Sequence, residues 1–193
     1  MSQANCGRIV VGTPRRDLLE AEWETLGYRD ELIDAGEPFY LFAMEADTFV
    51  RQHFPLDVAP PGVKLVDDLR PYRMRKLRIL NGRHMILGPI GRLLGLETVR
   101  QAMADPELGR FLEEAIFNEI IPAMESEDKA VNLAYGRQIL KRFRKPAIEH
   151  YLLGIRHEVT NKTGIRLFPT IRDHLKRRRE LPQLSALAAR SWL

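Results

Sequence analysis

The segment from Asp105 to Ile121 constrains the fold more than any other part of the chain. Asp105 is a residue type that caps the free amides at a helix start, and Pro106 carries the backbone angle of a first helical turn. ELGRFLEEAIFNEII follows, with Leu108, Phe111, Leu112, Ala115, Ile116 and Ile120 recurring at helical spacing. The pattern predicts one amphipathic helix, and a stripe this continuous has to be core. Other elements must cover it.

The rest of the chain supplies them. From Pro71 it reads as a succession of helices. The first crosses KLRILNGRH and is expected to kink or end at Gly88 and Pro89. LETVRQAMADP, Lys129 to Phe143, Ala147 to Val159 and Pro169 to Arg179 follow, and a last helix begins at Leu181 and runs toward Trp192 and Leu193 without a stop signal. Before Pro71 the pattern differs. Gly7 to Gly12, Pro38 to Glu45 and Val63 to Val66 read as strands, with a loop around Pro60, Pro61 and Gly62. A helix capped by Thr13, with Pro14 as its first residue, runs to near Gly27. The expected fold class is mainly α, with a few short strands in the first 70 residues.

At 193 residues, 45% hydrophobic and 29% charged, the chain is globular in composition and long enough for one domain, or a domain and part of another. Its single Cys6 supports no internal disulfide, and no run of 18 apolar residues or leader-like start occurs. A soluble cytoplasmic protein is expected, with no membrane partner. The net charge of +4 is a small excess of 30 basic over 26 acidic residues. It gathers in KRFRK and LKRRRE, which read as solvated helix faces, so no nucleic-acid partner is expected. His53, His84, His150, His157 and His174 show no ligand spacing such as H-E-x-x-H, so no metal is expected either.

KLRILNGRH holds the feature that composition does not explain. Lys76, Asn81 and His84 stand at offsets 0, 5 and 8. At about 100° per residue they span an arc of about 140°, which also contains Leu77 and Leu80. Three hydrogen-bonding side chains on a leucine face are costly to bury without purpose. As a set they suit proton abstraction beside a hydroxyl or carbonyl. Burial, together with positive charge from Arg73, Arg75 and Arg78, lowers a lysine's proton affinity toward that of a general base. Asn81 can donate to an oxygen gaining charge, and His84 can orient a substrate hydroxyl.

The pattern Lys-x4-Asn-x2-His within RKLRILNGRH resembles the catalytic signature of the polyol-specific long-chain dehydrogenases, the mannitol dehydrogenase family. RIVVGTPR, LGYRDELIDAGEPFYLF, VDDLRPYRMRK, GLETVRQAMADPEL, FNEIIPAM and KRFRKPAIEHYLLGI are most similar to its tagaturonate reductase (altronate oxidoreductase) branch, and the likeness runs from Arg8 to Leu187. It implies a multi-helical C-terminal dehydrogenase domain acting on a sugar acid or polyol with NAD(H). By position it implies Lys76 as general base, Asn81 polarising the substrate oxygen and His84 holding substrate. It also implies that Arg142 of an Arg-Phe-x-Asn segment binds substrate, together with His150, and that Lys162 and Arg166 contact a sugar-acid carboxylate.

The departures from the resemblance are specific. Gly7 stands where an acidic residue is common, Arg83 and Met85 flank His84 in place of small residues, and Lys145 replaces the asparagine of Arg-Phe-x-Asn. No G-x-G-x-x-G turn occurs, so most of the NAD(H) site is expected on a Rossmann domain absent from this chain, itself a candidate partner. Residues 1–12 then read as the end of the nucleotide-domain region and its linker, and 13–193 as the substrate and catalytic domain, cut within a C-terminal helix. The alternative is an inactive fragment or a helical interaction module without cofactor binding.

Overall fold

A computed structural model of the chain describes residues 3–54, 61–124, 128–144, 150–155 and 158–192. These fall into two compact units, Met1–Leu69 and Arg70–Leu193.

The first unit contains β1 (Ala4–Cys6), β2 (Val10–Gly12), α1 (Arg16–Leu26), β3 (Ala35–Gly36), β4 (Phe42–Glu45), α2 (Thr48–His53) and β5 (Val63–Val66). β4 is the middle strand of a sheet, antiparallel to β1 with Ala4 opposite Met44, and parallel to β5 with Phe42 opposite Val63. β2 and β3 form a separate antiparallel pair. The expected linker residues thus contribute two paired strands. β5 lies where the sequence placed it, whereas only the second half of Pro38–Glu45 joins the sheet. α1 starts later than Thr13 and Pro14 imply. Gly12, at φ +92°, turns the chain out of β2, and Thr13 and Pro14 are used in reaching Arg15, which caps the helix without a side-chain bond. Its end at Gly27, in the left-handed region at φ 75°, agrees with expectation.

The second unit is mainly helical, as expected. It begins with α3 (Arg70–Arg75), a first π segment (Lys76–Asn81) and α4 (Gly82–Leu93). α5 (Val99–Ala104), α6 (Pro106–Glu114), a second π segment (Ala115–Ile120) and α7 (Ile121–Ala123) come next. α8 (Lys129–Arg144), α9 (Leu152–Ile155), α10 (Val159–Arg166), α11 (Phe168–Arg178) and α12 (Gln183–Arg190) complete it. Asp105 accepts from the amides of Glu107 and Leu108 as a cap should, and the stripe below it is buried except for a half-buried Phe111. The expected helix Ala147–Val159 is described only in part: Leu152–Ile155 is helical, residues 147–149 and 156–157, like Lys145, lie outside the described residues, and Val159–Arg166 forms a helix the periodicity did not suggest.

α4 is the centre of this unit. Every residue from Gly82 to Pro89 is buried, with α5, α6, α9, α10 and α12 packed around the helix. Of the kink or end that the sequence implied at Gly88 and Pro89, the end does not occur, and the helix continues to Leu93. Proline in a helix interior deprives the carbonyl four residues earlier of its donor. That carbonyl belongs to Met85, and the Trp192 indole N–H donates to it at 2.8 Å. α12 shows a similar substitution. Pro182 at its cap has no oxygen to offer, and the buried Glu119 carboxylate accepts instead from the amides of Leu184 and Ser185, both at 2.8 Å.

Candidate active site

The first π segment changes the geometry of the Lys76, Asn81 and His84 set. The Gly82 amide bonds to the Leu77 carbonyl, five residues back rather than four. Residues i and i+5 of such a turn stand as i and i+4 do in an α-helix, about 40° past one full turn. His84 follows three α-helical residues after Asn81, so the three lie within about 60°, less than half the arc that uniform α-helix gives. Lys76 and Asn81 are half-buried at the two ends of the turn, and His84 is 7% exposed. Gly82 lets α10 come close to this segment: a Cβ there would meet the Arg166 carbonyl oxygen at 3.1 Å.

His84 is the hub of the surrounding cluster. Its ring centroid is 4.9 Å from that of His150 and 4.8 Å from that of Phe143. Its Nε2 is buried and has no hydrogen-bond partner among the described residues. Burial first, then the positive charges of His150, Arg83, Arg166 and Arg142, hold the imidazole neutral, well below the ordinary histidine range. His150 is lowered too, by burial and then by Arg83. On α8, Tyr135 lies beside Arg142. Burial pushes that phenol up, while Arg142, Arg83 and Arg75 pull it back. Burial also lowers Arg166.

The structure therefore brings His84, His150, Arg142 and Arg166 into one electrostatic neighbourhood. Lys76 and Lys162 are not among the charges that act most strongly on His84, His150 or Tyr135. Lys162 is half-buried one helical turn before Arg166. Nor does Arg78 crowd Lys76 as expected: it is buried and donates to Thr170 Oγ1 at 2.9 Å and Asp173 Oδ2 at 2.7 Å on α11. Arg75 lies over the Tyr72 ring at 4.8 Å. Two residues went unnoticed as members of the site. Tyr135 had a legible signal, since it precedes Arg142 by seven residues and so shares its helix face. Arg83 had none beyond its departure from the resemblance. It is fully buried, its guanidinium carbon 3.1 Å from the centroid of the Phe143 ring.

Residues 68–192 match the mannitol dehydrogenase C-terminal domain. The chain belongs to the mannitol dehydrogenase family. Altronate oxidoreductase of Bacillus subtilis (strain 168) is 39% identical over 176 residues, and that of Yersinia pestis bv. Antiqua (strain Nepal516) is 38% identical over 175. Each alignment covers 91% of this chain and 36% of the relative, so the chain spans about a third of the length of the curated relatives it matches. Among solved structures, Pseudomonas fluorescens mannitol 2-dehydrogenase, in a ternary complex with NAD and D-mannitol, has a TM-score of 0.80 at 22% identity, covering 99% of this chain and 38% of that one. D-sorbitol dehydrogenase in substrate-free form gives 0.80 at 24%, with the same coverages. These two likenesses establish the shared fold. Among the described residues no helix is long and apolar enough to cross a membrane.

Proposed function

We propose that this chain is the substrate-binding, proton-transferring part of an NAD-dependent oxidoreductase that interconverts a secondary alcohol of a sugar acid or polyol with its ketone, altronate and tagaturonate being the preferred pair. The observation that carries the reading is the π segment, which gathers Lys76, Asn81 and His84 onto one narrow face. The imidazole on that face is uncharged, and its Nε2 has no partner among the described residues. Lys76 Nζ takes the alcohol proton during oxidation and returns it during reduction. The Asn81 carboxamide donates to the carbinol oxygen as its charge rises. His84, kept neutral, exchanges a hydrogen bond with a neighbouring substrate hydroxyl through Nε2. Arg142 and His150 hold the substrate from α8 and from the residues before α9, and Lys162 and Arg166 hold it from α10.

The residues present do not fit a dinucleotide: the chain has no glycine-rich strand-to-helix turn for a pyrophosphate, and its cationic cluster surrounds the substrate-binding histidine. The nicotinamide would accept the hydride in oxidation, and we assign its site to a Rossmann domain outside this sequence. The test is reduction of tagaturonate or fructuronate with NADH, followed by absorbance, using this chain alone and with a Rossmann domain added. Lys76→Ala should lower turnover by about two to four orders of magnitude. A rate unchanged by that substitution removes Lys76 from its role.

A further inference from the structure

Resting on the reading above, we propose that Arg78, Thr170 and Asp173 are positioning residues for the proton transfer: their hydrogen bonds lock the first π segment against α11 and so keep Lys76 beside Asn81 and His84.

The wide turn needs a hold from outside, because α-helical spacing is the geometry a free helix prefers. Narrowing the turn to that spacing shifts one flank by one residue, about 100° around the axis. α4 is enclosed on every side from Gly82 to Pro89 and cannot take up that rotation, whereas no residue of α3 is buried. The rotation therefore falls on α3 and on Lys76, which follows it. The arc across Lys76, Asn81 and His84 then opens from about 60° to about 140°, and the amine leaves the face it shares with the other two.

Three contacts oppose this. Arg78, inside the turn, donates through Nη1 to Thr170 Oγ1 at 2.9 Å and through Nη2 to Asp173 Oδ2 at 2.7 Å. Two bonds from one planar group fix direction as well as distance. The Arg78 side chain is 7% exposed, so turning it away would strand a buried guanidinium. Asp173 keeps Oδ2 for this bond, since the exposed Arg172 meets the other oxygen, Oδ1, at 3.3 Å. At the exit of the turn the Arg166 backbone closes on Gly82, and Thr163 Oγ1, also on α10, donates to Met85 Sδ at 3.8 Å. α10 and α11 pack on each other, so one corner grips the turn at its middle and at its exit. Arg78 itself is spent on α11. Its influence on the chemistry has to pass through Lys76, two residues before it, and Asn81, three after.

The experiment makes two measurements on wild type, Arg78→Met, Arg78→Lys, Asp173→Ala, Lys76→Ala and the double variant Lys76→Ala/Arg78→Met, each checked for folding by circular dichroism. One is the nuclear magnetic resonance coupling, in the 193-residue chain, across the hydrogen bond from the Gly82 amide to the Leu77 carbonyl. The other is steady-state reduction of tagaturonate with NADH after a Rossmann domain is added. Wild type should show the coupling and Arg78→Met should lose it, with kcat down about tenfold to a hundredfold and KM within about twofold. Arg78→Lys should keep part of the rate, and Asp173→Ala should lose severalfold. With Lys76 already replaced, Arg78→Met should cost less than about twofold more, because the group it positions is gone. A coupling that persists in folded Arg78→Met overturns the proposal, as does a loss of kcat that is undiminished in the Lys76→Ala background. If Arg78→Met does not fold, an unchanged coupling and kcat in Asp173→Ala overturn it. A rate indifferent to Lys76→Ala refutes the Lys76 chemistry and this role with it, whereas a rate that follows Lys76 but neither Arg78 nor Asp173 refutes the positioning role alone.

Discussion

Replacing Trp192 with Phe removes one hydrogen-bond donor and keeps most of an aromatic ring in place. The donor lost is the indole N–H on the Met85 carbonyl, 2.8 Å away, in a residue that is fully buried. That carbonyl has no helical donor because the residue four positions on is Pro89. Leaving a buried carbonyl unmet costs about 1–3 kcal/mol. The smaller ring also loses contact around Gly88, where the Trp192 ring atoms lie 3.3 Å from the position a Cβ would take. Trp192→Phe should therefore destabilise the chain by about 2–3 kcal/mol in total. The mechanism, as opposed to the size, is tested by Pro89→Ala. An alanine at that position restores an amide to the Met85 carbonyl, so Trp192→Phe in that background should cost about 1 kcal/mol less. Packing losses common to both backgrounds cancel in the double-mutant cycle. The cycle is measured by urea unfolding followed by far-ultraviolet circular dichroism, since Trp192 is one of only two tryptophans and fluorescence would change with the substitution. A coupling energy within about 0.4 kcal/mol of zero refutes the account, whatever the two single costs turn out to be.

The remaining predictions concern the same unit. Glu119→Ala strips two charge-assisted bonds from the start of α12 and leaves the buried Ser185 amide without its acceptor, so stability should fall by about 2–4 kcal/mol in urea titrations; a fall under about 0.5 kcal/mol contradicts the capping role. His84 is depressed in the folded state, so the unfolded chain takes up a proton first as pH falls. Its contribution is therefore complete above the ordinary histidine pKa of about 6.5 and declines below it, by up to about 1.4 kcal/mol per pH unit. His84→Asn should flatten that decline in urea titrations run from about pH 7.5 to about pH 5.5, and an equal slope in both proteins excludes His84 as its source.

Much of the helical unit was legible because its boundaries are local chemistry. Asp105 with Pro106 caps as the residue types suggest. In the first unit, Val63–Val66 pairs as a strand of its composition should. What was not legible depends on partners distant in sequence. Pro89 reads as a helix breaker until Trp192, 103 positions later, is seen to serve the carbonyl it strands. α12 has no cap of its own, and nothing near Pro182 points to Glu119. Arg78 reads as a positive charge beside Lys76 until Thr170 and Asp173 are brought against it.

The site was half legible for a reason that concerns periodicity itself. Projecting a sequence at α-helical spacing assumes the period that the first π segment breaks, and one wide turn is enough to carry Lys76 from the edge of the face to the side of Asn81 and His84. Nothing local marks the break. KLRIL is good helix sequence, and the close approach of the Arg166 backbone at Gly82 and the tether of Arg78 to α11 are tertiary. Arg83 escaped for a related reason. Reading amphipathicity presumes one wet face, and α4 has none from Gly82 to Pro89, so a charge that projects away from the leucines is buried as deeply as they are. In a helix enclosed on every side, a charged residue is a statement about a ligand or a partner rather than about solvent. Arg83, next to His84 and stacked on Phe143, is the residue of α4 to which that applies.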